Sequence, residues 1–191
     1  MAIEVPTRRR FSVEEYFKLF EIGVLGSDER VELIEGEILV MTTPGPAHSA
    51  IVMRLNKFLV TRLPDQALVR IDSASVLSED SAPRPDIAVI CMRDDFYEVA
   101  DPRPNDILAL VEVADSSLRL DRGRKLGLYA RTGITEYWIV NVAAKTIERC
   151  RHPDGEGYAE RLVFTNGERI AFAAFPETVF EVDDLVGPKR A

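Results

Sequence analysis

The sequence predicts a mixed α/β (α+β) fold, with a mixed central β-sheet flanked by helices and additional antiparallel strands at the C-terminus. Three observations predict it. Strand-sized apolar runs at 86–91, 107–113 and 136–142 are separated by segments that include helical spacing, the pattern of a sheet covered by helices. Beyond residue 142 the chain changes to short alternating runs divided by Gly-containing turns, which reads as an antiparallel meander. The chain has 191 residues and no repeat, low-complexity tract or shift in composition, so it suits one domain, with a core over about 11–182.

Taken in order, Ser12-Val13-Glu14-Glu15 is a capping-box pattern ahead of Tyr16, Phe17, Leu19 and Phe20, and predicts a helix over about 12–22 that ends at Gly23. Two apolar runs, 30–34 and 37–41, flank Glu35-Gly36, where glycine supplies the positive φ of a tight hairpin. Glu35 is expected to be exposed in that turn. Pro44-Gly45-Pro46 breaks the chain, and Ile51, Leu55, Phe58, Leu59 and Arg62 then fall at helical spacing, with His48 in the first turn. Residues 67–72 read as a strand that Val76-Leu77 continues after a bend. The proline-rich 81–85 delivers Asp86 into the next strand, and the polar 93–106 is a loop holding a short helical turn. Asp115-Ser116-Ser117 supplies N-cap oxygens for a helix running to about Arg131, which Gly133 stops. In the tail, 147–151, 158–164 and 169–172 form the meander, with turns at 152–157 and Asn166-Gly167.

Net charge is -8, which counts against a protein that coats nucleic acid through bulk electrostatics while leaving room for local phosphate contacts. No apolar run is long enough to span a membrane and no signal-peptide core follows the N-terminal arginines, so the expected location is cytoplasmic, with no membrane partner. The two cysteines, Cys91 and Cys150, lack CxxC spacing and lie in apolar contexts, which suits packed free thiols.

The chemistry-bearing residues gather around two of the predicted strands. Asp86 follows Pro85 at the start of one; Glu112 sits near the end of the other. Phosphodiester cleavage needs a hard cation held by oxygen ligands, and Asp86, Glu112 and the backbone carbonyl of Val113 are candidates to hold Mg²⁺ or Mn²⁺. Lys125, on the following helix, is the candidate to position the attacking water and, if its pKa is lowered, to take its proton. Arg122 and Arg124 lie on the same helix, and Tyr129, one i+4 step from Lys125, orients the lysine or packs beside it. Each residue also has an ordinary reading. Asp86 alone is a turn aspartate and Lys125 alone a solvated helix face. Glu112, closing an apolar strand, is either half of a buried ion pair or a metal ligand. The combination carries the reading.

The order Pro85-Asp86, Glu112-Val113-Ala114, Asp121 to Lys125 to Tyr129, Gly133 and Glu136-Tyr137-Trp138-Ile139-Val140-Asn141 resembles the Uma family of bacterial endonucleases, a branch of the PD-(D/E)XK superfamily. Glu32-Leu33-Ile34-Glu35-Gly36-Glu37, then Met41, Pro44 and His48, is similar to that family's N-terminal signature. The resemblance implies a restriction-endonuclease-like fold, with Asp86 and Glu112 as metal ligands and Lys125 as the site lysine. In the superfamily's plain pattern the lysine lies two residues after the second acid, where this chain has Ala114, so the helix must supply it. The same resemblance places Glu32 and His48 in the cleft. Taken alone, His48 reads as a hydrogen-bonding residue at a helix start.

The function expected is a Mg²⁺-dependent endonuclease with DNA as substrate, acting as a homodimer if it cuts both strands. Alternatives are an inactive binding or interaction module on the same fold, and a hydrolase of another phosphoester.

Overall fold

The computed structural model describes residues 8–188. Its centre is a six-stranded sheet in the order β3 (Ala67–Ile71), β4 (Ile87–Cys91), β5 (Ile107–Ala114), β6 (Glu136–Asn141), β7 (Thr146–Asp154) and β8 (Gly157–Phe164). All neighbours are antiparallel except β5 and β6, which are parallel and joined by the helical crossover that carries Lys125. Alternation of side chains along each strand gives the sheet two apolar faces. Val89, Val111, Val113, Trp138 and Val140 face α2 (Pro46–Arg62) and α5 (Val182–Val186); Ala88, Ile90, Leu110, Ala114, Tyr137 and Ile139 face the crossover. By the same parity Asp86 and Glu112 belong to the crossover face.

In front of the sheet lies the hairpin of β1 (Val31–Ile34) and β2 (Glu37–Val40), which α1 (Val13–Glu21) covers. The capping box at Ser12 and Glu15 forms reciprocally, both bonds at 3.1 Å. Glu35 (φ 52°) and Gly36 (φ 74°) make the hairpin turn, both with the positive φ that a two-residue loop of this twist demands. A Cβ on Gly36 would come within 2.4 Å of Arg10 Cβ, so crowding as well as φ reserves the position for glycine. Ala82 N donates to Leu33 O at 2.8 Å, which docks the hairpin on the proline-rich segment and brings β1 toward Asp86.

Several expectations need correction. Of the C-terminal meander, β7 and β8 form the expected antiparallel pair and extend the central sheet, but the third strand does not join them: β9 (Arg169–Ile170) turns away to pair with β10 (Phe180–Glu181). Phe172 and Phe180 are buried against Trp138, whose ring Phe172 stacks at 4.0 Å, and this packing outweighs a third hairpin. Val76 and Leu77 form no strand; the chain there is tied back by the Ser78–Ser81 bridge. Glu35 is half-buried rather than exposed, because Arg124 and Arg131 both bond its carboxylate. Both thiols are free, Cys150 buried and Cys91 half-buried. Among the described residues no helix is long and apolar enough to cross a membrane.

Candidate active site

Asp86 is the residue before β4, and extending the β4–β5 register, in which Ile87 faces Val111, sets it beside Glu112. Its Oδ2 accepts from the Val113 backbone N–H at 2.7 Å, so the aspartate closes the end of the strand pair. On its other side Oδ1 lies 3.1 Å from His48 Nε2, delivered by the first turn of α2. That hydrogen bond lifts the His48 imidazole above its usual range against the opposing effect of burial. His48 Nδ1 is buried without a partner.

Lys125 reaches the same place from the crossover. The segment is helical from Leu118 to Arg131, as α3 (Leu118–Leu120), a π-helical stretch (Asp121–Lys125) and α4 (Leu126–Arg131). A continuous α-helix was the expectation; instead Leu126 N donates to the carbonyl of Asp121, five residues back, and the Tyr137 hydroxyl donates to the same carbonyl at 3.3 Å. Such π segments open a helix locally and occur at functional sites. The Ser117 hydroxyl does not cap this helix but donates to Asp121 Oδ2 at 2.6 Å.

The result is a stripe of buried polar side chains, Asp121, Lys125 and Tyr129, lying on the sheet. Lys125 Nζ donates to Glu112 Oε1 at 2.9 Å, and the Tyr129 hydroxyl donates to the same oxygen at 2.7 Å. Nζ also lies 3.0 Å from both oxygens of Glu32, with hydrogen-bond geometry only to Oε1, which leaves Glu32 Oε2 buried without a donor. Lys125 is 1% exposed. Burial works against its charge, but Glu112, Glu32 and Asp121 outweigh burial and hold the ammonium above its usual range. A lowered pKa was the condition for Lys125 to act as base, and the site sets it the other way. Burial pushes the Glu112 carboxyl well above the usual carboxylate range, with Lys125 opposing.

Burial likewise pushes the Asp121 carboxyl up to about 6 from 3.8, with Lys125 and Ser117 opposing. An acid whose folded pKa lies above its unfolded value favours the folded state when protonated, so stability falls as pH rises from about 4 to about 6. The loss is on the order of 3 kcal/mol and complete at neutral pH. Asp121→Asn is therefore expected to raise the melting temperature at pH 7 and above and to leave it nearly unchanged at pH 4; equal effects at both would contradict this.

The sequence candidates separate cleanly. A cleft of about 70 Å³ is lined by Glu32, His48, Asp86, Glu112, Val113 and Lys125, between the loop at 41–45 and the turn at 115–117. Thr42 Oγ1 and Ser116 Oγ, 3.2 Å apart, join the two rims. Tyr129 is not part of the wall; it lies fully buried behind Glu112. Arg122 and Arg124 do not line the cleft. Acids on their own sides draw them away, Arg122 to Glu148 on β7 and Arg124 to Glu35 and Glu37 at 2.8 Å each. Asp121, four residues before Lys125, was named only as part of the family pattern and given no role in the site, and Arg30 and Arg84, which line the cleft, were not among the candidates. For Asp121 the i, i+4 spacing to Lys125 was the available signal.

The donors suit a hard divalent cation. Asp86 and Glu112 supply carboxylate oxygens at a solvent-reachable cleft, and Glu32 has a buried oxygen without a hydrogen-bond donor. Among the described residues no three His, Cys, Asp or Glu side chains already converge as a metal-binding group; Asp86 is matched with His48 and Glu112 with Lys125. Glu136 shows the contrast. It is equally buried, but its oxygens accept from Trp138 Nε1, Arg151 and Ala173 N, which makes it a satisfied core carboxylate.

The Uma2 family model, described as "Putative restriction endonuclease", matches residues 13–183. A crystal structure described as a putative nuclease belonging to DUF820, from Anabaena variabilis, superposes with a TM-score of 0.69 at 20% identity, over 92% of this chain and 97% of that one. At that identity the likeness is one of fold. No curated protein matches the chain.

Proposed function

Because the chain belongs to the Uma2 family, we propose that it is a divalent-metal-dependent nuclease that hydrolyses phosphodiester bonds in DNA. Asp86 and Glu112 would hold Mg²⁺ or Mn²⁺, with the Val113 carbonyl as a further oxygen. The observation that carries this reading is the buried Lys125 gripped by Glu112 and Glu32 at the wall of a cleft that Asp86 closes. A bound cation supplies polarisation of the phosphate and a more acidic water.

The chain's own residues do the rest. An ammonium has three N–H donors; Glu112 and Glu32 use two, so one is left for a water or phosphate oxygen in the cleft. Lys125 therefore acts as a fixed positive charge that positions the water and offsets charge developing on the phosphate, not as a base. The water's proton leaves to solvent through the cleft, since Glu32 Oε2 is buried against the Lys125 ammonium at 3.0 Å. The attacking oxygen bonds phosphorus as the bond to the leaving oxygen breaks, and that oxygen is protonated from solvent. Tyr129 orients Glu112, and His48 orients Asp86. Cutting both strands of a duplex requires two such sites, which a symmetric homodimer supplies.

The test is cleavage of plasmid and single-stranded DNA with Mg²⁺ or Mn²⁺. Wild type is expected to cut, and both EDTA and Asp86→Ala to abolish cutting. Equal cleavage by wild type and Asp86→Ala would overturn the reading.

A further inference from the structure

Arg30 and Arg84 stand at the edge of the cleft that Asp86, Glu112 and Lys125 line, and the reaction described above uses neither. Arg30 Nη1 donates to Asp72 Oδ2 at 3.2 Å. Arg84 Nη2 donates to the Asp72 backbone carbonyl at 3.0 Å and lies 3.6 Å from Oδ1. One carboxylate thus faces two guanidiniums, in a chain whose net charge is -8.

Stability does not account for this arrangement. The two arginine side chains remain 36% and 30% exposed, and ion pairs at such exposure contribute about 1 kcal/mol or less. Asp72, just past β3, holds them from a left-handed backbone conformation (φ 42°) that disfavours most residues other than glycine. Arg30 Nε is buried with no acceptor. Apart from Lys125, these are the two cationic residues other than His48 that line the cleft, and Lys125 is committed to Glu112 and Glu32.

A nucleic-acid strand brings phosphates in series. The one over Asp86 and Glu112 meets a surplus of carboxylates and depends on a cation there. A neighbouring phosphate needs positive charge of its own, set apart from those acids, and the guanidinium fork matches phosphate oxygens in pairs. We propose that Arg30 and Arg84 form a subsite for the backbone phosphate next to the scissile one, with Asp72 holding the guanidiniums side by side as an internal stand-in for that phosphate. This rests on the nuclease reading and adds to it how the strand is gripped.

The test is binding of a fluorescent single-stranded oligonucleotide, followed by anisotropy with Ca²⁺ replacing Mg²⁺ and across a salt series. Arg30→Met and Arg84→Met are each expected to weaken binding about tenfold at low salt and to flatten the slope of log affinity against log salt by about 0.7. Arg30→Lys should keep most of that slope. Asp72→Asn, which tolerates the left-handed backbone, should bind more tightly than wild type because it keeps the Arg84 bond to the backbone carbonyl but removes the negative charge that competes with a phosphate for both guanidiniums. Methionine variants that melt like wild type and bind with its affinity and slope would overturn the subsite, as would an Asp72→Asn variant that binds more weakly. If wild type still cuts DNA in those cases, the subsite alone falls. A wild type that neither binds the oligonucleotide nor cuts overturns both.

Discussion

Lys125→Met is expected to lose cleavage by on the order of a hundred- to a thousandfold, because it removes a fixed positive charge from the site where charge develops. It is also expected to lose stability. Methionine fills much of the same space, but it leaves Glu112 and Glu32 facing each other in a buried site with no cation between them. Breaking a buried pair by removing one partner costs about 3–5 kcal/mol. The pH dependence identifies the cause. Burial already raises the Glu112 carboxyl, and the variant loses the Lys125 charge that opposes that rise, so it regains stability as Glu112 is protonated on acidification. Denaturant unfolding at pH 5 and pH 8 should show a much smaller deficit at pH 5. A deficit independent of pH would mean that lost packing, and not an unpaired carboxylate, is responsible.

Glu112→Gln is expected to lose at least as much activity while moving stability the other way. The amide oxygen can still accept from Lys125 and Tyr129, but the carboxylate charge whose desolvation the site opposes is gone. A melting temperature at neutral pH equal to or above that of wild type, together with lost metal-dependent cleavage, is the expected pair of results. This is the trade of stability for activity expected of a group kept for chemistry. If Glu112→Gln cuts DNA as wild type does, Glu112 is not a metal ligand. If it instead unfolds the protein, Glu112 belongs with Glu136 as a core carboxylate.

These two variants also show where the sequence was informative. The hairpin at Glu35-Gly36, the capping box at Ser12 and the three core strands were legible because their signals are local: positive φ at a turn, reciprocal caps and apolar runs of strand length. Asp86 and Glu112 were legible as neighbours because the loop between β4 and β5 needs only to return the chain. What the sequence could not carry was the state of Lys125. On its own helix it is one of several cations, and only the fold shows that Arg122 and Arg124 turn to acids elsewhere while Lys125 turns to Glu112 and Glu32, 93 residues away in the second case. The π-helical turn at Asp121 was hidden for a similar reason, since its opened carbonyl bonds Tyr137 from a later strand. The last strand of the tail departs from the expectation because Phe172 stacks on Trp138 and Phe180 packs edge-on against Phe172, contacts no alternation pattern records.

The most direct test of the central claim is a crystal structure of the wild-type protein soaked in Mn²⁺, with anomalous scattering used to locate the ion. One strong peak is expected between the carboxylates of Asp86 and Glu112, in the cleft that Lys125 lines. No peak there in crystals saturated with Mn²⁺, with Asp86 still on His48 and Glu112 still on Lys125, would contradict it.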